Sequence, residues 1–146
     1  MTISKATIKE LSQLYLLENS LFQKENFPLS KASLRYHINN NLIYLAKIED
    51  VVVAYILVLI KRKNAKIHSL GVQKEHRGKN IAKLLLKKAL EELEMSSFKS
   101  ILLEVRCDNQ SAISLYKSFQ FETTKIEHRF YLDGCDAFIM KKDNGI

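Results

Sequence analysis

Arg77-Gly78-Lys79-Asn80 lies between an apolar run that stops at Val72 and an amphipathic stretch that continues to Met95. A turn feeding a helix can hold an anion, because the first helical turn leaves backbone N–H groups unpaired and the aligned peptide dipoles put partial positive charge at that end. Gly78 allows close backbone approach, Asn80 tolerates a left-handed conformation, and Arg77 and Lys79 add charge. A solvated connection has the same composition, so the turn alone does not decide.

A second candidate is Glu104, within Lys99 to Val105. Ile101, Leu103 and Val105 fall on one face of a strand there, and Leu102, Glu104 and Arg106 on the other. A buried carboxylate is pushed toward neutrality and can serve as a general base; one that is ion-paired or faces solvent at an opening in the sheet gives the same pattern. Cys107 is a nucleophile by type, but no histidine is fixed near it by sequence. Cys107 and Cys135 lack metal-ligand spacing and are too few for a disulfide framework, which points to a reducing cytoplasm.

The elements that must position these groups follow from periodicity. Thr2 to Thr7 alternates as an edge strand, and Ile8 to Phe22 repeats its apolar residues at helical spacing. Asn26 to Ser30 breaks that helix, Ser30 caps a second one running through His37, and Asn39-Asn40-Asn41 ends it. Leu42 to Ile48 and Val51 to Arg62 form a hairpin about Glu49-Asp50, and Ala65 to Val72 adds a third strand after the turn at Lys63-Asn64. Gly71 in that strand marks a bulge or a close approach by another chain or ligand. Gly78 to Met95 is helical, with Ile81, Leu85, Ala89 and Leu93 on one stripe and Lys79, Lys83 and Lys87 on another. Its lysines precede its glutamates, against the dipole, and Lys87/Glu91 and Lys88/Glu92 offset part of that cost. An anion docked at its start explains the early lysines, as does a solvated face. Gln110 to Phe119 is a short helix capped by Asp108 or Asn109. The strand-helix-strand-helix order argues for a right-handed crossover. Phe121 to Tyr131 and Ala137 to Lys141 close the sheet as a hairpin with Asp133-Gly134 in its connection.

With 146 residues and 47% hydrophobic content, the chain is long enough for one domain with its own core. Val51 to Ile60 is too short to span a membrane, and no stretch reads as a signal peptide, so neither a membrane partner nor export is expected. The net charge of +7 and pI near 9.4 suggest an anionic partner. The cations are scattered apart from the one helix and no nucleic-acid-binding motif is present, so nucleic acid is not the expected one.

Together these residues resemble the GCN5-related N-acetyltransferase (GNAT) family, and within it the RimI-like branch of N-terminal acetyltransferases. The family's acetyl-CoA turn, Arg/Gln-x-x-Gly-x-Gly/Ala, falls on Arg77 to Ala82, with Asn80 in place of the central glycine. Leu103-Glu104-Val105-Arg106 followed by Asn109, Ala112, Leu115-Tyr116 and Phe119-Gln120-Phe121 is similar to the branch's LEVR…N..A..LY...GF string, with Gln120 where glycine is usual. Phe27-Pro28-Leu29-Ser30 is similar to the loop that lines the pocket for a peptide's first side chain. Arg129-Phe130-Tyr131 with Asp136-Ala137 to Met140 resembles the final hairpin.

The resemblance implies an α/β (α+β) GNAT fold over residues 1–146: a mixed, mostly antiparallel sheet of six to seven strands, a central splayed parallel pair and about four helices. Acetyl-CoA is the implied cosubstrate, with no metal. Backbone groups of Leu70, Gly71 and Val72 would meet the pantetheine arm and polarise the thioester carbonyl. Arg77, Gly78, Lys79, Asn80, Ile81 and Ala82 would cradle the pyrophosphate, and Asn109 and Tyr116 would also hold the cofactor. Glu104 would be the general base, directly or through water, and Tyr116 the proton donor to the leaving thiolate. Phe27, Pro28, Leu29, Glu104 and Tyr131 would receive the acceptor; the other reading is that Phe27 and Leu29 plug the core and Tyr131 packs on the sheet. His68 and His128 are rival bases, and His76 belongs to the turn.

The implied partner is a protein or peptide N-terminus, such as that of a ribosomal protein. Reference values of about 7.8 for an α-amine and 10.4 for lysine leave roughly a tenth of the former neutral at pH 7, but less than about a thousandth of the latter. A weak base therefore handles an N-terminus more readily. Acetylation of lysine or a small amine is the alternative within the family. A non-catalytic module that binds a CoA thioester or a protein is the alternative outside catalysis: Asn80 and Gln120 favour it, and intact Glu104 and Tyr116 oppose it. The oligomeric state is not legible.

Overall fold

The computed structural model describes residues 1–22 and 24–143. Its strands are β1 (Thr2–Lys5), β2 (Leu42–Ile48), β3 (Val51–Lys61), β4 (Asn64–Val72), β5 (Ser100–Arg106), β6 (Glu122–Glu127) and β7 (Ala137–Asp143). Its helices are α1 (Leu11–Leu21), α2 (Lys31–Asn40), α3 (Ile81–Met95) and α4 (Gln110–Ser118). The strands form one sheet in the order β1-β2-β3-β4-β5-β7-β6, antiparallel except for β4 and β5. This is the expected GNAT fold.

Alternating side chains on β2 and β3 feed two cores. Tyr44, Ala46, Ala54, Ile56 and Val58 pack with α3 and α4, while Ile43, Leu45, Tyr55 and Leu57 pack with α1 and α2. On α3 the expected stripe of Ile81, Leu85, Ala89 and Leu93 is buried and is widened by Leu86 and Leu90. Each buried Leu or Ile contributes about 1.5–3 kcal/mol, which far exceeds the few tenths lost to charges placed against the helix dipole. Glu92 is held by the Tyr44 hydroxyl at 2.5 Å and Lys5 at 3.1 Å, a tertiary anchor rather than the expected tie to Lys88.

Among the boundaries that move, three have a clear local cause. A 3-10 turn over Ile8–Glu10, closed by a Thr7/Glu10 capping box, precedes α1 and ends the edge strand early. Helix α3 begins at Ile81, because Gly78 and Asn80 both take positive φ. Strand β6 stops at Glu127, although the alternation runs on to Tyr131. Asp136 accepts from Arg129 N–H at 2.9 Å and lies 3.3 Å from His128 Nδ1, folding residues 128–136 into a loop.

The irregularity expected at Gly71 falls elsewhere. Ile67 pairs with Val58 and Ser69 with Leu57, leaving His68 as the extra residue of β4. Gly71 is needed for close approach: a Cβ there would stand 2.6 Å from Leu21 Cδ1 at the end of α1.

Candidate active site

The site is organised by the gap between β4 and β5. Their parallel pairing runs only from Asn64 with Ser100 to Ile67 with Leu103. Beyond that, Ser69 to Val72 stay with β3, and Glu104 to Arg106 stay with β7. The facing edges therefore part, leaving backbone N–H and C=O groups with no ladder partner across the gap. Leu70, Gly71 and Val72 line its β4 side. The Val72 carbonyl accepts from Arg77 Nε at 3.1 Å, so that oxygen is engaged by the turn itself.

The turn has the geometry of an anion cradle. Gly78 has φ +82 with nothing within 4 Å of where a Cβ would be, and Asn80 takes φ 61, ψ 20. The Asn80 side chain makes no capping bond to α3, so the N–H groups around Ile81 and Ala82 are left for another acceptor. Arg77 to Asn80 are exposed, and Lys79 Nζ lies 3.1 Å from His76 Nδ1. His76 thus sits in the turn, as expected. The positive φ values, uncapped helix start and exposed cations fit a pyrophosphate.

Glu104 lies on the face of the sheet opposite Leu103 and Val105, which are in the α3/α4 core. It is 23% exposed by side chain, and Lys66 Nζ donates to its Oε1 at 2.6 Å. Of the two sequence readings, the ion-paired carboxylate at a sheet opening describes its surroundings. One carboxylate oxygen takes up Lys66, and the other makes no hydrogen bond among the described residues. His68, in the adjacent bulge, bonds Ser69 through Nδ1 at 2.9 Å, and its ring lies 6.4 Å from that of His37. Partial desolvation, then Lys66 and His37, push His68 below its ordinary pKa, so it is a neutral neighbour of Glu104. His128 pairs with Asp136 in the exposed loop.

Tyr116 comes from the opposite layer. It is 6% exposed, packs edge-on against Phe121 with ring centroids 5.7 Å apart, and its hydroxyl makes no hydrogen bond among the described residues. Burial, and secondarily Tyr131, push its phenol well above the ordinary range, so it stays protonated at neutral pH. Asn109 caps α4, its Oδ1 accepting from Ala112 N–H at 3.2 Å. Its amide nitrogen is left as the group for a ligand.

Around the residues expected to receive the acceptor, the structure gathers groups distant in sequence. Phe27, at φ 55, stacks on Tyr131 at 6.3 Å and meets Phe130 edge-on at 6.0 Å. Phe27 is 45% exposed, so it is no core plug; Pro28 and Leu29 are half-buried. Tyr131 is half-buried, and desolvation followed by the Glu104 charge pushes its phenol up to about 12.

The sequence reading assigned no role to four residues here. Arg106 donates to Asn26 at 2.6 Å and Asp133 at 2.7 Å, bonds Asp108, and lies 4.9 Å from the centre of the Tyr131 ring. It thereby ties the loop that holds Asn26 and Phe27 to the one that holds Tyr131 and Asp133. Its place beside Glu104 on one strand face was the available signal, whereas Lys66 and Asp133 carried none. Glu18 is 1% exposed; its Oε2 accepts from Leu29 N–H at 2.7 Å, and its buried Oε1 has no hydrogen-bond partner among the described residues. Desolvation, only partly opposed by the Leu29 bond, raises its pKa to about 7. Its spacing from Leu14 and Leu21 on α1 marks it as inward-facing.

Among the described residues no cluster of three or more His, Cys, Asp or Glu is placed to hold a metal, and no helix is long and apolar enough to cross a membrane.

With this geometry in hand, comparison with known proteins is specific. The model of the acetyltransferase (GNAT) family matches residues 8–121. A protein of Methanocaldococcus jannaschii named as an uncharacterized N-acetyltransferase is 35% identical over 97% of this chain and 91% of its own length. The ribosomal-protein-alanine N-acetyltransferase of Escherichia coli superposes with a TM-score of 0.89 at 25% identity, covering 99% of this chain and 94% of that one. Naa50 of Arabidopsis thaliana, in complex with the bisubstrate analogue CoA-Ac-MVNAL, gives 0.87 at 26% identity over 97% of both chains. The sheet that parts after Ile67 and Leu103, the left-handed turn at Asn80 and these matches lead to one conclusion: the chain belongs to the acetyltransferase (GNAT) family and is an N-acetyltransferase.

Proposed function

We propose that the protein transfers an acetyl group from acetyl-CoA directly to the α-amine of a protein N-terminus. The observation that carries this reading is the open gap between β4 and β5, with an anion cradle at one end and a carboxylate flanked by aromatic loops at the other. Acetyl-CoA supplies the acetyl group as an activated thioester. Leu70 to Val72 offer backbone groups to its arm, and the turn from Arg77 to Ala82 offers N–H groups and cations to its phosphates, with Asn109 beside them. Glu104 receives the proton of the acceptor amine, directly or through water, on the oxygen not engaged by Lys66. Tyr116 offers its proton toward the leaving sulfur. Its raised pKa makes complete transfer uphill against a thiol of about 8.5, so hydrogen bonding to the developing charge is the larger part of its role.

Phe27, Pro28, Leu29 and Tyr131 line the acceptor entrance, and the names of the two solved relatives support a peptide or ribosomal-protein N-terminus as occupant. We place the reaction in the cytoplasm, in keeping with the free thiols of Cys107 and Cys135. The test is CoA release with short peptides that vary in first residue, beside α-blocked lysine peptides and small amines. Release confined to free α-amines is expected. Equal release with blocked lysine peptides makes the protein a lysine acetyltransferase, and acetyl-CoA binding with no release from any amine makes it a binding module.

A further inference from the structure

Cys107 and Cys135 are far apart in sequence and adjacent in space, their Sγ atoms 3.7 Å apart. Cys107 follows directly on β5, and Cys135 sits two residues before β7, in the loop that carries Phe130 and Tyr131. The backbones there are already joined, Cys107 N–H donating to the Asp136 carbonyl at 3.0 Å. Both thiols are half-buried, so a small oxidant reaches them while bulky partners are hindered. Closing the pair means bringing the sulfurs from 3.7 Å to the about 2.05 Å of a disulfide bond.

We propose that Cys107 and Cys135 form a redox-modification site, a thiol pair that a peroxide oxidises to a reversible disulfide, with consequences for the acceptor loop. The step balances. The Cys107 sulfur attacks one peroxide oxygen and breaks the O–O bond, giving a sulfenic acid and, with the thiol proton, one water. The Cys135 sulfur then attacks the Cys107 sulfur, forming S–S and expelling the sulfenic oxygen, which leaves as a second water with the Cys135 proton. Two thiols are oxidised and one peroxide is reduced. Burial and the contact with Cys107 hold the Cys135 thiol above its ordinary pKa, which disfavours its own attack on peroxide and leaves the first step to Cys107.

Cys135 is tied to Tyr131 by the loop's own hydrogen bonds: the Cys135 carbonyl accepts from Tyr131 N–H at 3.1 Å, and the Tyr131 carbonyl accepts from Gly134 N–H at 2.9 Å. Closing the bridge at Cys135 is therefore expected to shift Tyr131 within its stack on Phe27. This second half rests on the acceptor reading above; the disulfide does not.

The experiment uses the full chain, reduced and then treated with hydrogen peroxide. Alkylation followed by mass spectrometry is expected to show both thiols blocked together within one chain, with the mass of two hydrogens lost and dithiothreitol restoring both. Cys135→Ser should leave Cys107 to oxidise without forming an internal bridge. Thiols that oxidise independently, or only between chains, overturn the site. In the oxidised protein the KM for a peptide acceptor is expected to rise about threefold or more, with the KM for acetyl-CoA unmoved. A disulfide that leaves the peptide KM unchanged overturns the coupling to Tyr131 while leaving the modification site standing.

Discussion

Lys66 reaches past its register partner Leu102 to place its ammonium 2.6 Å from the Glu104 carboxylate, at the point where β4 leaves β5. The base candidate is thus supplied with a counter-charge on one oxygen and left open on the other. An amine approaching the gap meets the open one. Replacing Glu104 by Gln keeps the shape and removes the proton acceptor, so turnover on an N-terminal peptide should fall about tenfold or more. Acetyl-CoA affinity by calorimetry should not move. A Gln variant with the wild-type rate transfers the role to another group, with His68 the nearest candidate.

Tyr116→Phe removes the hydroxyl of a buried residue, one that has no hydrogen-bond partner among the described residues. Stability should change by less than about 1 kcal/mol in a denaturant titration, because no bond is broken. Turnover should nevertheless fall about tenfold or more. Equal turnover in the two proteins would show that the leaving thiolate needs no help from α4.

Asn80 is the non-glycine residue that holds the left-handed turn at the start of α3. Glycine adopts that conformation without strain, so Asn80→Gly should bind acetyl-CoA as tightly or more tightly. Asn80→Val forces a β-branched residue to positive φ at a cost of about 1–2 kcal/mol, and binding should weaken. If the glycine variant binds markedly less tightly, the Asn80 side chain itself touches the cofactor.

Glu18 makes stability depend on pH in an unusual direction. Its folded pKa of about 7 lies above the ordinary carboxylate value of 4.5, so the native state resists its ionisation. The penalty is absent below the unfolded pKa, grows as pH rises past 4.5 and is complete above about 7. From the size of the shift it reaches about 3 kcal/mol. Glu18→Gln keeps an acceptor for Leu29 N–H and cannot ionise, so its melting temperature should gain on wild type between pH 5 and pH 8. A gap that stays constant with pH would mean that Glu18 remains ionised throughout.

Arg106 joins Asn26 in one acceptor loop to Asp133 in the other. Arg106→Ala should raise the peptide KM about tenfold while sparing the KM for acetyl-CoA, because only the acceptor entrance loses its brace. The paired exchange Arg106→Asp with Asp133→Arg should recover part of the loss. An unchanged peptide KM in Arg106→Ala would put the acceptor elsewhere.

The fold was legible where periodicity and local chemistry speak for themselves. The α3 stripe, the β2–β3 hairpin and the left-handed tolerance of Asn80 all reside within a few neighbouring residues. What escaped reading depends on partners remote in sequence. Gly71 read as a bulge or a close approach, and the group that approaches it, Leu21, belongs to another element. Strand β6 looked longer because the hydrogen bonds of Asp136 to Arg129 come from the far side of a loop. Glu104 carried two readings until Lys66 was seen beside it. For Arg106 the motif was visible, but its three partners were not.

The short pairing of β4 with β5 also bears on how the chain assembles. β1 to β4 lie side by side and precede β5 in the chain, so they can fold as a meander while the remainder is still being synthesised. Until β5 arrives, β4 is an exposed edge. Lys66 and the His68 bulge then act as guards: a charge and a kink on a free strand edge discourage it from pairing with a second nascent chain. The residues that border the gap between β4 and β5 in the finished molecule are thus of the kind that discourages edge-to-edge pairing in its unfinished form.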